Sequence, residues 1–259
     1  MPNANYLWIG YFATALNENG KAALVMANSA SDAGKSEYEI RKKLIEEGII
    51  SQMVTLPSNM FSSVTLPATL WFFDKQKPFT DKKDKILFID ARNVFTQVDR
   101  AHRKFSDEQI KNLGIITKLY NGNTDAFAEL IAEYETALAA APEESDDKEI
   151  RTKSYWQEQI NWLTEHFPDG VYRDVIGLCK AAPIEYGEDN KDDEDGIKDN
   201  DYSLNAGRYV GVVIEDDGMT EAEFKDTMLG LNKDFEDMNA EAKALESQIA
   251  ANLKALFGE

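Results

Sequence analysis

A chain of 259 residues can bury a large core in one or two domains; it has no apolar run near the eighteen or so residues of a membrane span, and its opening MPNANYLWIG lacks the basic segment of a signal peptide. One cysteine, Cys179, argues against a disulfide framework and for a reducing, cytoplasmic setting. The net charge of −19 is uneven: residues 1–105 hold 14 Lys+Arg and 11 Asp+Glu (+3), and residues 106–259 hold 14 and 36 (−22), so a mildly basic region precedes an acidic one.

In chain order, residues 3–20 read as an amphipathic helix, with Leu7/Tyr11 and Trp8/Phe12/Leu16 at i,i+4 spacing and Asn19-Gly20 as its stop. Ala22–Ala27 suits a strand buried on both faces. Ser36-Glu37-Tyr38-Glu39 has the form of a capping box. The helix it opens carries Ile40, Leu44 and Ile45 on one face and Arg41, Lys42 and Lys43 on the other, and Gly48 ends it. Ile49–Leu56 resumes strand character, which predicts a parallel βαβ unit. Thr69–Asp74 and Ile86–Asp90 are two further strands.

The second part reads as mostly helical over 106–182. A capping box stands at Ser106–Gln109, and helical segments follow at Ala126–Ala141 and Tyr155–Phe167. Gly187–Asp201 is a low-complexity acidic stretch with almost nothing to bury, so mobility is expected there. The last helix opens with a capping box at Thr220–Glu223. Its apolar residues recur at alternating spacings of four and three: Phe224, Met228, Leu231, Phe235, Met238, Ala242, Leu245 and Ile249. This is a coiled-coil seam. A partner's helix is the favoured cover, and packing back along the chain's own shorter helices is the alternative.

The catalytic inventory is sparse. No G-x-G turn, P-loop, G-x-S-x-G or H-E-x-x-H occurs, and no two of the seven prolines are adjacent, so there is no Asn-Pro-Pro-aromatic turn. His102 and His166 lie far apart with no second cysteine, which disfavours a zinc site and makes both histidines surface or packing residues.

Several ordered blocks carry a resemblance: Asn5-Tyr6-Leu7-Trp8-Ile9, Lys21-Ala22-Ala23, Arg41-Lys42-Lys43-Leu44-Ile45, Leu56-Pro57, Pro67-Ala68-Thr69-Leu70-Trp71-Phe72, Leu87-Phe88-Ile89-Asp90-Ala91-Arg92, then Tyr202-Ser203-Leu204-Asn205 and Gly207-Arg208-Tyr209-Val210. Together they closely resemble the modification (M) subunit of type I restriction–modification systems, an adenine-N6 DNA methyltransferase. Ala206 departs from the family's usual proline.

The resemblance implies an α/β fold: the C-terminal part of a Rossmann-like methyltransferase sheet, a mostly helical region and a long C-terminal helix. The expected divisions are 1–105 for the methylase part, 106–201 for the helical region with its acidic loop, and 202–259 for the turn block and partner-binding helix. The family's S-adenosylmethionine loop and catalytic turn lie ahead of the matching region, so Met1-Pro2 reads as the start of a truncated or separately encoded piece. No cofactor or catalytic residue of the family carries over.

In related adenine methyltransferases an aromatic residue just before the strand pair equivalent to 49–74 stacks on the flipped-out base. Phe61 occupies that place, and a loop aromatic packed into the domain is an equal reading. Arg92, Arg100, Arg103 and Lys104 are candidates for the DNA backbone, against the alternative of a solvated basic face. The implied partners are the specificity subunit against the 224–249 seam, the N-terminal part of the methylase subunit, DNA in the full complex, and the restriction subunit as a further candidate. Alone, the chain is expected to be inactive. The alternative from another class is a non-enzymatic acidic interaction protein or DNA mimic, favoured by the −22 region and opposed by the basic sheet region.

Overall fold

A computed structural model describes residues 4–147, 150–187, 196–213 and 219–258. In chain order the helices and strands are α1 (Asn5–Ala15), β1 (Lys21–Ala27), α2 (Ser36–Glu46), β2 (Ile50–Thr55), β3 (Ala68–Asp74), β4 (Lys85–Asp90), and the two-residue strands β5 (Thr96–Gln97) and β6 (Arg103–Lys104). Then come α3 (Asp107–Tyr120), α4 (Asp125–Ala140), α5 (Lys153–His166), β7 (Cys179–Pro183) and α6 (Glu221–Phe257). The chain divides into two compact units, Met1–Val213 and Ile214–Glu259.

The first unit is built on a five-stranded mixed sheet of order β1-β3-β2-β4-β7. Strand β3 runs antiparallel to both β1 and β2, β2 is parallel to β4, and β7 is antiparallel to β4. The expected β1–α2–β2 unit is therefore parallel, but its strands are not neighbours. Strand β3 lies between them, with Leu70 opposite Val25 on one side and Val54 on the other. The alternation of apolar residues marks a strand without marking its neighbours, which is why the insertion was not legible.

Along β4, Ile86 and Phe88 enter one core while Leu87 and Ile89 enter the other, so KILFID is apolar throughout because both faces are covered. On one face α1, α2 and residues 197–210 pack over Met53, Trp71 and Phe73. On the other, α3, α4 and α5 pack over Val54, Leu87 and Ile89. Strand β1 departs from expectation. Ala22, Leu24 and Met26 meet one core, whereas Val25 on the other face is 52% exposed, because no β1 residue joins the second core; among the described residues β1 pairs with β3 alone.

Four local readings are corrected. In α1 the buried residues are Tyr6, Ile9 and Ala13, whereas Leu7, Trp8 and Tyr11 are exposed: the i,i+3,i+7 row faces the core in place of the i,i+4 pairs that begin at Leu7 and Trp8. The Ser36–Glu39 box does not form: Lys35, at φ 57, is the cap residue, so the Ser36 hydroxyl already sits inside the helix. Arg41 is not on a solvent face but 2% exposed. Cys179–Pro183, expected within a helical region, is the fifth strand, and Ala182 opposite Ile86 is buried.

Other local readings hold. The Ser106–Gln109 box closes at 3.1 and 2.9 Å, and Gly48 ends α2 at φ 71. Within the acidic stretch 187–201, residues 188–195 lie outside the described residues. Of the described residues there, Ile197 is fully buried, and its N–H donates to the Pro183 carbonyl at 3.0 Å.

Lys77, in the turn after β3, is 5% exposed, and its Nζ donates to the Lys83 carbonyl at 3.1 Å. Burial pushes its amine down to about 8, against the opposing pull of Asp84 and Asp74. A basic group whose pKa falls on folding weakens the fold while charged. Stability should therefore rise above pH 8, where the folded chain sheds a proton the unfolded chain keeps. The expected gain is roughly 2 kcal/mol between about pH 8 and 10. Urea unfolding at several pH values should show the Lys77→Met variant losing that rise.

Candidate nucleic-acid interface

Strands β2 and β4 run parallel, so their carboxyl ends share one edge of the sheet. In open α/β sheets this is the edge where ligands bind. Two loops rise from it, residues 56–67 after β2 and residues 91–105 after β4. Phe61 stands in the first, bridged to Val64, 43% exposed and in neither core cluster. Leu66 beside it is 70% exposed. Asn59 takes a left-handed conformation (φ 62), and its N–H donates to the Thr65 carbonyl at 3.2 Å, closing the loop.

The four basic candidates do not act alike. Arg92 is held by Asp90, its Nε donating at 2.8 and 3.0 Å and its Nη2 at 2.5 Å. That hydrogen bonding raises the Arg92 pKa, and Asp90 is only 7% exposed, so the charge of Arg92 is largely answered inside the protein. Arg103 is half-buried and engaged on several sides: Nη1 donates to Ser58 Oγ at 3.1 Å, Nε donates to Gln97 Oε1 at 3.3 Å, and the guanidinium lies 3.9 Å from the Phe95 ring centre. Arg100 and Lys104 are exposed, the first in the β5–β6 turn and the second opposite Thr96. Beside them the His102 ring pairs with Asp99 at 2.8 Å, and this hydrogen bond holds the Asp99 carboxyl below its ordinary range.

Sequence reasoning missed a third contributor to this edge. Asp32, in the turn after β1, accepts from Ser203 Oγ and, at 3.2 Å, from Asn205 Nδ2, and lies 3.8 Å from Arg208 Nε. The 203–208 segment thus crosses from the end of β1 to the end of β4, where a Cβ on Gly207 would stand 3.3 Å from Arg92 Nη2. The YSLNAGRY block carries the signal: the sequence places it as a turn block ahead of the C-terminal helix, and its contact with Asp32 comes from the structure. Ala206, where proline was expected, is fully buried in a 3-10 turn capped by the Asn205 side chain.

Cavities lie elsewhere among the described residues. One of 590 Å³ at the opposite edge is lined by Lys21, Asp74, Lys77 and Tyr120, and an apolar one of 440 Å³ lies between the sheet and α3. Among the described residues no group of His, Cys, Asp and Glu is placed to hold a metal ion, and no helix is long and apolar enough to cross a membrane.

In the second unit, α6 is 37 residues long, roughly 55 Å at about 1.5 Å per residue. Its predicted capping box forms, with Thr220 N–H donating to Glu223 Oε2 at 2.8 Å. The seam residues Phe224, Met228, Leu231, Phe235, Met238, Leu245 and Ile249 are 50–61% exposed, and no residue of α6 is buried. Gly258, left-handed at φ 76, closes the helix.

Residues 1–217 match the family model described as N-6 DNA Methylase. The chain is 32% identical over 98% of its length to the type I restriction enzyme MjaIX methylase subunit of Methanocaldococcus jannaschii. It is 30% identical, again over 98% of its length, to the HindI methylase subunit of Haemophilus influenzae. It spans only 35% and 44% of those relatives. A solved methyltransferase subunit of the type I restriction–modification system of Streptococcus thermophilus aligns with 80% of this chain and 30% of its own, at 22% identity and a TM-score of 0.49.

Proposed function

Because the chain belongs to the N-6 DNA methylase family and is related to type I restriction enzyme methylase subunits, we propose that it is the C-terminal part of a type I adenine-N6 DNA methyltransferase (M) subunit. In this reading it completes the methylase sheet, offers a DNA-facing edge and docks the specificity subunit through α6. The observation that carries it is the alignment of nearly the whole chain with less than half of each relative. The one-sided pairing of β1 supports a sheet that continues in the N-terminal part of the subunit.

The turn after β1 does not fit S-adenosylmethionine: it reads Asn28-Ser29-Ala30-Ser31-Asp32, with no glycine in it to let the backbone approach a cofactor closely. The chain contributes no methyl-transfer step by itself. Its part is positional: Phe61 stacks on an extruded adenine, offsetting some of the few kcal/mol that extrusion costs, while Arg100 and Lys104 meet phosphates.

Calorimetry of the isolated chain should show no S-adenosylmethionine binding, and tight binding would overturn the claim that it is inactive alone. Methylation should return when the chain is combined with the N-terminal part of the subunit and the specificity subunit. Replacing Leu231 and Leu245 together by Asp should abolish co-purification with the specificity subunit, because two charges would be buried in an apolar seam. An unchanged complex would refute the docking role of α6.

A further inference from the structure

Resting on the reading of Phe61 as a base platform, we propose that Arg103 is the residue that positions it, a latch between the β5–β6 hairpin and the Phe61 loop and not a phosphate contact. Its guanidinium is shared among three partners on the two loops: the Phe95 ring at 3.9 Å, Gln97 Oε1 at 3.3 Å and Ser58 Oγ at 3.1 Å. Its backbone N–H donates to the Asn59 carbonyl at 2.9 Å. Both loop contacts fall within three residues of Phe61, at the point where Asn59 turns left-handed and bonds Thr65 across the loop.

Only arginine fits this role. A planar fork can lie on an aromatic face and still donate in its own plane to two oxygens, whereas a lysine ammonium is a point charge that can do one or the other. The neighbouring cations make the contrast: Arg100 and Lys104 are exposed, while Arg103 is half-buried. The Phe61 loop has little apolar burial of its own, with Phe61, Val64 and Leu66 all 43–70% exposed, so a lateral tie is what holds its shape.

Amide hydrogen exchange of the full chain tests the latch. The Asn59 and Val64 amides should exchange about tenfold faster in both Arg103→Ala and Arg103→Lys, with the amides of β2 and β4 unchanged. Parent-like protection in Arg103→Lys would overturn the proposal, since charge alone would then suffice. A single-stranded DNA oligonucleotide carrying 2-aminopurine supplies the second readout. Its stacking signal should fall in Phe61→Ala and in both Arg103 variants, while the salt dependence of binding by Arg103→Lys matches the parent. Recovery of the signal in Arg103→Lys would refute the latch. An unchanged signal in Phe61→Ala would instead refute the base-platform reading, and the exchange result would still judge the latch.

Discussion

An Arg41→Ala variant is expected to lose about 3–5 kcal/mol of unfolding free energy in the first unit, read from urea denaturation. Arg41 is 2% exposed, and its guanidinium donates to the carbonyls of Tyr202 at 2.7 Å, Ala33 at 2.5 Å and Asp201 at 3.4 Å, and to Tyr6 Oη at 3.3 Å. One side chain thus joins α1, the turn after β1, α2 and the segment that follows the acidic stretch. Removing it leaves the buried acceptors of Tyr202 and Tyr6 without this donor, each at a cost of about 1–3 kcal/mol, and loosens the part-buried ties to Ala33 and Asp201. Arg41→Lys should recover only a fraction, because an ammonium cannot reach this spread of carbonyls. The 203–208 segment should also loosen, with faster exchange at the Leu204 amide, which donates to the Ser31 carbonyl at 2.9 Å. A loss below about 1 kcal/mol, the size of an ordinary surface hydrogen bond, would contradict this account.

Trp71→Ala should cost a similar 3–5 kcal/mol, for a different reason. Trp71 is fully buried at the centre of β3, edge-on to Tyr6 with ring centres 6.2 Å apart and stacked on Phe73 at 6.4 Å. Alanine leaves a cavity between the sheet and α1 that the paired strands on either side cannot close. The indole Nε1 has no hydrogen-bond partner among the described residues. Trp71→Phe therefore removes a buried N–H that contributes nothing, and the relief offsets much of the lost volume, leaving a net cost of about 1 kcal/mol or less. Thermal and urea unfolding of the two variants side by side should show this separation; equal losses would mean the indole nitrogen is satisfied in solution.

The candidate edge was only partly legible in the sequence. Placing Phe61 in a loop beyond β2 follows from the strand patterns at Ile49–Leu56 and Thr69–Asp74 on either side of it. The four basic residues, by contrast, looked equivalent as letters. Arg92 is tied to Asp90, two residues earlier at the end of β4, while its side chain stays 49% exposed, and Arg103 is drawn in because Ser58 and Phe95 stand beside it. The role of Arg208 at Asp32 depends on a contact across 176 positions that no spacing rule reports.

By itself the sequence determined what depends on nearest neighbours along the chain. The caps at Ser106 and Thr220, the stop at Gly48, the apolar strands and the seam of α6 all follow from backbone groups and side chains within a few residues of one another. Only the tertiary structure decided the insertion of β3 between β1 and β2, the fifth strand at Cys179–Pro183, the burial of Arg41 and the division of labour among the arginines. These depend on which distant segments share a face. A guanidinium becomes a core tie or a solvent-facing cation according to the carbonyls, rings and carboxylates that the fold brings to it.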